Sequence, residues 1–120
     1  MDTSDRLSGG ELNAALTREV VRIHTAYLGR GPDRAFSFHQ GNLIVSVLED
    51  VMTRAEQVLA ANGEGDAVLH MRRRFQAAMG DELKASVQQL TGKRVVAFMS
   101  DNHLDPDVAV EIFIVDMPTT

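Results

Sequence analysis

Residues 66–90, DAVLHMRRRFQAAMGDELKASVQQL, form the longest proline-free stretch with a helical repeat, and this stretch decides the fold. Its apolar side chains recur every three or four positions, which places them on one face of a helix. They are Val68, Met71, Phe75, Met79, Leu83, Val87 and Leu90. The polar residues between them, Arg72, Arg73 and Arg74 included, are expected on a solvated face. Gly92 suits the end of the helix, because glycine enters the left-handed conformation without steric cost.

Length and composition predict a single globular domain, which we assign to residues 8–117 with a flexible tail at residues 1–7. The 120 residues include no cysteine, which excludes disulfides and thiolate chemistry. No apolar run approaches the ~20 residues of a membrane span, so we expect a cytoplasmic protein without direct membrane insertion. The net charge of −5 argues against nucleic-acid binding.

Two further helices are predicted upstream of the long one. The first covers residues 9–28, with Ser8 and Glu11 at the spacing of a capping box. A short helix begins after Thr53, where Glu56 repeats the same spacing.

The remaining segments alternate with the period of strands. Gly41-Asn42 suits a two-residue hairpin turn, and Val96 and Phe98 are expected to share a face of their strand. The predicted strands are residues 34–39, 43–48, 94–100 and 108–115, with a loop at 101–107. The order α-β-β-α-α-β-β predicts an α+β two-layer sandwich, in which a four-stranded, largely antiparallel sheet packs on a long central helix.

The last predicted strand is apolar on both faces. Its two sets of side chains are Val108, Val110, Ile112 and Ile114, and Ala109, Glu111, Phe113 and Val115. Helices on one side of the sheet would leave one of these sets open. Because large exposed apolar patches are unusual on monomers, the pattern predicts a homodimer, packed through sheet faces or through the long helices.

Several fragments carry a resemblance to a known family, and they span residues 11–115. They are YLGRGP at 27–32, TRAE at 53–56, LTGKRV at 90–95, SD at 100–101 and VEIF at 110–113. With their spacing they resemble the MpsC family of small bacterial proteins. The resemblance implies an association with a membrane-potential-generating system that moves cations, with related systems tied to inorganic-carbon uptake. The resemblance supplies no catalytic residues and no cofactor that could be assigned to positions of this sequence.

Exposed arginines are the candidate ligand- or partner-binding residues: Arg30, Arg34, Arg73 and Arg74. Arg30 lies in a Gly-Arg-Gly-Pro segment that could form an anion nest, although its main expected role is to end the first helix and turn the chain. Arg72, Arg73 and Arg74 spread over ~200° of a helix, so they cannot form one tight claw. A solvated face is the plainer interpretation of this run, and an acidic partner or a phosphate-bearing ligand is the other.

Residues 101–107, DNHLDPD, have the residue types of a metal site, but the composition is also that of a plain hairpin loop. His24 is interpreted as a boundary residue of the first helix and His70 as a solvated one. No nucleophile elbow, phosphate-binding loop or dinucleotide fingerprint is present in the sequence. We therefore expect no enzyme, no metal and no cofactor.

Three functional hypotheses follow from these observations. The first is a non-catalytic accessory or regulatory protein that binds another macromolecule, with a membrane transporter subunit as the partner that the resemblance implies. The second is a sensor of a small anion, such as a nucleotide or bicarbonate, held near Arg30, Arg34 and Arg73. The third is a hydrolase that uses the 101–107 loop and needs His103.

Overall fold

The computed structural model describes residues 9–119, and the predicted element order is confirmed. The helices are α1 (Gly9–Leu28), α2 (Arg54–Ala61) and α3 (Gly65–Thr91). The strands are β1 (Arg34–Gln40), β2 (Leu43–Glu49), β3 (Val95–His103) and β4 (Val108–Val115). The predicted tail at residues 1–7 and the capping residue Ser8 lie outside the described residues.

All four strands pair antiparallel in the order β1-β2-β4-β3, so β2 and β4 are central. Gly41 makes the two-residue turn between β1 and β2 with φ 59°, the left-handed conformation that such a turn requires of its first residue. The α3 helix ends as expected at Gly92, with φ 69°. Thr53 and Glu56 form the predicted capping box at the start of α2.

The core lies between one face of the sheet, which we call the covered face, and the helices α1 and α3. From the sheet it receives Ile44, Leu48, Ala109, Phe113 and Val115. From the helices it receives Leu12, Leu16, Val20, Ile23, Met79, Leu83 and Val87. On α3, Gly80 faces the Phe98 ring of β3. The α3 stripe predicted from the sequence is therefore the one that packs on the sheet.

Two predictions at β3 were wrong. The strand continues to His103 instead of ending at Ser100, because Asp101, Asn102 and His103 pair with β4, and only residues 104–107 remain as the turn. A bulge between Val95 and Ala97 also shifts the alternation. Val95 packs against the core together with Phe98, while Val96 is 53% exposed, so Val96 and Phe98 do not share a face.

Candidate functional site

The face of the sheet opposite the helices, which we call the open face, is a four-by-four array of side chains. Its rows, read across β1, β2, β4 and β3, follow from the strand register. They are Arg34–Glu49–Val108–His103, Phe36–Val47–Val110–Asp101, Phe38–Val45–Ile112–Met99 and Gln40–Leu43–Ile114–Ala97. All the polar members lie on the margin of the array, and its centre is entirely apolar.

Large apolar side chains of the open face are exposed to solvent. Phe36 is 46%, Phe38 43% and Met99 51% exposed. In the first row, Arg34 Nε lies 3.2 Å from Glu49 Oε2, so the two charges at this margin partly satisfy one another. An apolar centre with a polar margin is the composition of a protein-binding surface.

The covered face has a polar row where a core is usually apolar. Ser37, Ser46, Glu111 and Ser100 occupy one register position across all four strands. The Ser37 and Ser46 hydroxyls lie 2.7 Å apart, and Thr17 of α1 donates to Ser37 at 2.7 Å. The hydroxyls of Ser37 and Ser46 therefore both have hydrogen-bond partners, as buried polar groups require.

Glu111 is the centre of this polar row and is completely buried. Its Oε1 lies 3.2 Å from His24 Nε2 and 3.3 Å from Gln76 Nε2, and its Oε2 accepts a hydrogen bond from Ser100. The Gln76 carbonyl in turn accepts from Asn102 Nδ2 at 2.9 Å. One carboxylate therefore links α1, α3 and β3 to the central strand β4.

His24 is 2% exposed, so its interpretation as a boundary residue was wrong. Its Nδ1 lies 2.9 Å from the Val20 carbonyl, which can only accept, so Nδ1 carries a proton. The His24–Glu111 pair is enclosed in the core, and it does not line the surface concavities of about 240, 290 and 380 Å³ found among the described residues.

Arg72 is also buried, and its prediction on the solvated face was wrong. Its guanidinium donates to both carboxylate oxygens of Glu56, at 2.7 and 2.6 Å, and to the Val51 carbonyl at 2.9 Å. Burial acts to raise the pKa of Glu56, but hydrogen bonds from Arg72 and Thr53 outweigh it, so this pKa lies below its ordinary value. The pair joins α3 to α2, and the helical repeat does not reveal it because Glu56 lies on another helix.

Arg30 has a similar structural attachment. It donates to the carbonyls of Met52 at 2.8 Å and Asp50 at 3.0 Å, and to the Asp33 carboxylate at 3.1 Å. Arg30 and Arg72 therefore hold the same loop between β2 and α2, in which Asp50 adopts a left-handed conformation with φ 58°. An anion at Arg30 would have to compete with these acceptors.

The other candidate arginines lie on different elements. Arg34 stands on the open face at the start of β1, while Arg73 and Arg74 are exposed on α3. Among the described residues, no carboxylate forms an ion pair with Arg73 or Arg74. Two of the four candidates, Arg30 and Arg34, are close in the chain but already have partners.

In the 101–107 segment, His103 is exposed on the open face and its Nδ1 lies 2.8 Å from the Pro106 carbonyl. Asp107 accepts a hydrogen bond from the Met52 amide at 2.9 Å, which ties the turn to the loop before α2. Within residues 9–119, no group of three or more histidines and acids is placed to hold a metal ion. The segment thus contributes to packing and to the rim of the open face.

Comparison with known proteins identifies the family to which the chain belongs. "Uncharacterized protein YrhF" of Bacillus subtilis (strain 168) is 26% identical over 99 residues, which cover 81% of each chain. No solved structure matches the chain. Across residues 9–119, none of the helices has an apolar stretch long enough to cross a bilayer. The family described as "Na+-translocating membrane potential-generating system (MpsC)" matches residues 8–117, and the chain therefore belongs to the MpsC family.

Proposed function

We propose that the protein is a non-catalytic, dimeric accessory or regulatory protein of a membrane-potential-generating system, and that it acts in the cytoplasm by binding other proteins. The open face is the observation that supports this proposal. Apolar patches of this extent on soluble chains mark protein-interaction surfaces. Family membership supports the choice of system, with a cation or bicarbonate transporter subunit as the partner.

The buried polar groups support a binding role over a catalytic one. His24 and Glu111 are enclosed in the core, and Arg72 and Glu56 are bound to each other. A general acid or base has to reach substrate, which these groups cannot do without opening the core.

An anion sensor is the second candidate function, and the exposed pair Arg73 and Arg74 favours it. Thermal-shift screening with nucleotides and bicarbonate separates the two proposals, since a ligand at 100 times its dissociation constant adds about 2.7 kcal/mol of stability. Stabilisation that is lost in Arg73→Met/Arg74→Met would support the sensor. A flat response across the panel would support the accessory role.

Capture from cells that contain the native transport system tests the accessory role. Tagged wild-type protein, expressed at its native level and crosslinked before lysis, is expected to recover a membrane transporter subunit. Val58→Lys is a control, because Val58 is 51% exposed on α2, which packs against α3 on the covered side of the sheet. Repeated recovery of the tagged protein alone, with both chains, would contradict the proposal.

A further inference from the structure

We infer that the open face binds a second copy of this chain, so that two sheets pack face to face and the helices lie on the outside of a four-layer dimer. This inference rests on the proposed function, because it takes the open face to be a protein-binding surface. It goes further by naming the occupant, the symmetry and the contacts.

The distribution of polar side chains on the open face selects one two-fold axis. An axis parallel to the strands, between β2 and β4, places each row of the array over the same row of the partner subunit. The first row, which holds Arg34, Glu49 and His103, then meets its own copy. An axis across the strands would instead place these charges over the row of Leu43 and Ile114. The first axis therefore gathers the charged side chains of both copies at one margin of the interface, whereas the second would place the charged row against an apolar row.

The chosen axis predicts specific contacts. It places β1 over the partner's β3 and β2 over the partner's β4, at the ≈ −30° angle of aligned sheets. Val45 then faces Ile112 of the partner subunit, and Phe38 faces Met99 of the partner subunit, an aromatic–sulfur contact of a favourable kind. At one corner Arg34 faces the partner's His103, with the partner's Asp101 one row away, so the rim offers a positive and a negative group to each other.

The size of the open face is close to the lower limit for a specific dimer. Four strands at ~4.8 Å and four rows at ~6.6 Å give a flat area of about 500 Å² per copy. The phenylalanine and methionine side chains stand above the pleat and increase the area that is removed from water. The interface therefore approaches the roughly 600 Å² per partner at the lower end of stable complexes. We expect a dimer that dissociates on dilution.

Light scattering on purified protein over a concentration series tests the dimer. Wild type and Val58→Lys are expected to double in mass as concentration rises, whereas Ile112→Lys stays monomeric at the highest concentration. A helical circular dichroism spectrum equal to that of wild type shows that Ile112→Lys is folded. Monomeric wild type at every concentration would overturn the inference, and so would an undiminished Ile112→Lys dimer.

Introduced cysteines test the axis, because the natural chain has none. A mixture of Phe38→Cys and Met99→Cys chains is expected to crosslink with a short bifunctional thiol reagent, while Phe38→Cys alone and Val58→Cys alone are not. Crosslinking of Phe38→Cys to itself, without the mixed product, would overturn the parallel axis.

The dimer and the accessory role fail separately. Dimeric protein that recovers no transporter subunit would leave the dimer standing and contradict the accessory role. Monomeric protein that still recovers the subunit would contradict the dimer alone.

Discussion

Each of the two faces of the sheet departs from the usual distribution of polarity. The covered face carries a row of Ser37, Ser46, Glu111 and Ser100 beneath the helices, whereas the centre of the open face is built of valine and isoleucine. A two-layer α+β protein ordinarily has the apolar face covered and the polar face in water. Here the four polar side chains of this row are hydrogen-bonded to one another and to residues of α1 and α3, whereas no helix of residues 9–119 covers the apolar side chains of the open face.

The difference indicates two separate roles for the sheet. On the covered face, each polar group must meet its partner, so the row favours one register of the strands and one position of α1. On the open face, the side chains contact their neighbours on the sheet, and no helix of residues 9–119 packs over them. The first role is internal to the fold, and the second is available to another protein.

The largest loss of stability is expected when one partner of the buried Arg72–Glu56 ion pair is removed. Arg72→Met leaves the Glu56 carboxylate buried without its partner, and we expect a loss of about 3–5 kcal/mol in the free energy of unfolding. Arg73→Met changes an exposed neighbour and is expected to stay within about 0.5 kcal/mol. Urea denaturation measures both. Equal effects for the two variants would contradict the burial of Arg72.

Two neighbours on β4 compare the faces directly. Glu111→Ala leaves the buried Nε2 atoms of His24 and Gln76 without their hydrogen-bond partner, and we expect a loss of about 3 kcal/mol in the free energy of unfolding. Ile112 points to the open face and is partly buried between its neighbours, so Ile112→Ala should cost about 1–2 kcal/mol when measured on dilute, monomeric protein. A greater loss for Ile112→Ala by urea denaturation would reverse the assignment of the faces.

The pH dependence of stability tests the Glu56 site. Because the pKa of Glu56 is lower in the folded chain than in the unfolded one, its contribution is fully present above the ordinary value of about 4.3. It is lost as pH falls through the lower folded value. Glu56→Gln should therefore be less stable than wild type at pH 7, and the difference should narrow below about pH 4 in a pH series of urea denaturations. A constant difference at all pH values would contradict the lowered pKa.

The smallest changes in stability are expected for substitutions on the edge strand β1. Ser37→Ala removes the partner of Thr17 and Ser46 and should cost about 1 kcal/mol. Phe38→Ser, the next residue on the opposite face, should change the stability of the monomer by about 0.5 kcal/mol or less while it weakens association. Thermal denaturation of dilute samples compares the stabilities of the Ser37→Ala and Phe38→Ser monomers. A destabilised Phe38→Ser monomer would show that Phe38 packs within its own chain.

Local patterns were sufficient to predict most of the fold. The α3 helix was predicted over residues 66–90 and spans Gly65–Thr91, because its repeat, its glycine end and its length agree. The open face was predicted from the two apolar sides of a single strand, β4. Both features depend on residues that are near one another in the sequence, which is where periodicity is informative.

The buried polar groups could not be predicted because their partners are distant in the chain. Arg72 is 16 residues from Glu56, and His24 is 87 residues from Glu111. The lone Glu111 within the apolar VAVEIFIV run was the available signal, since a charged residue on the covered side of a strand requires a buried partner. The sequence did not indicate which residue would supply it.

Hydroxyl-radical footprinting at low and high protein concentration tests most directly whether the open face binds protein. Met99 lies on this face and is 51% exposed, while Tyr27 lies on α1 and is 38% exposed. We expect the oxidation rate of Met99 to fall as protein concentration rises and the oxidation rate of Tyr27 to stay constant. An unchanged Met99 rate in concentrated protein and in the presence of the cell's membrane fraction would contradict it.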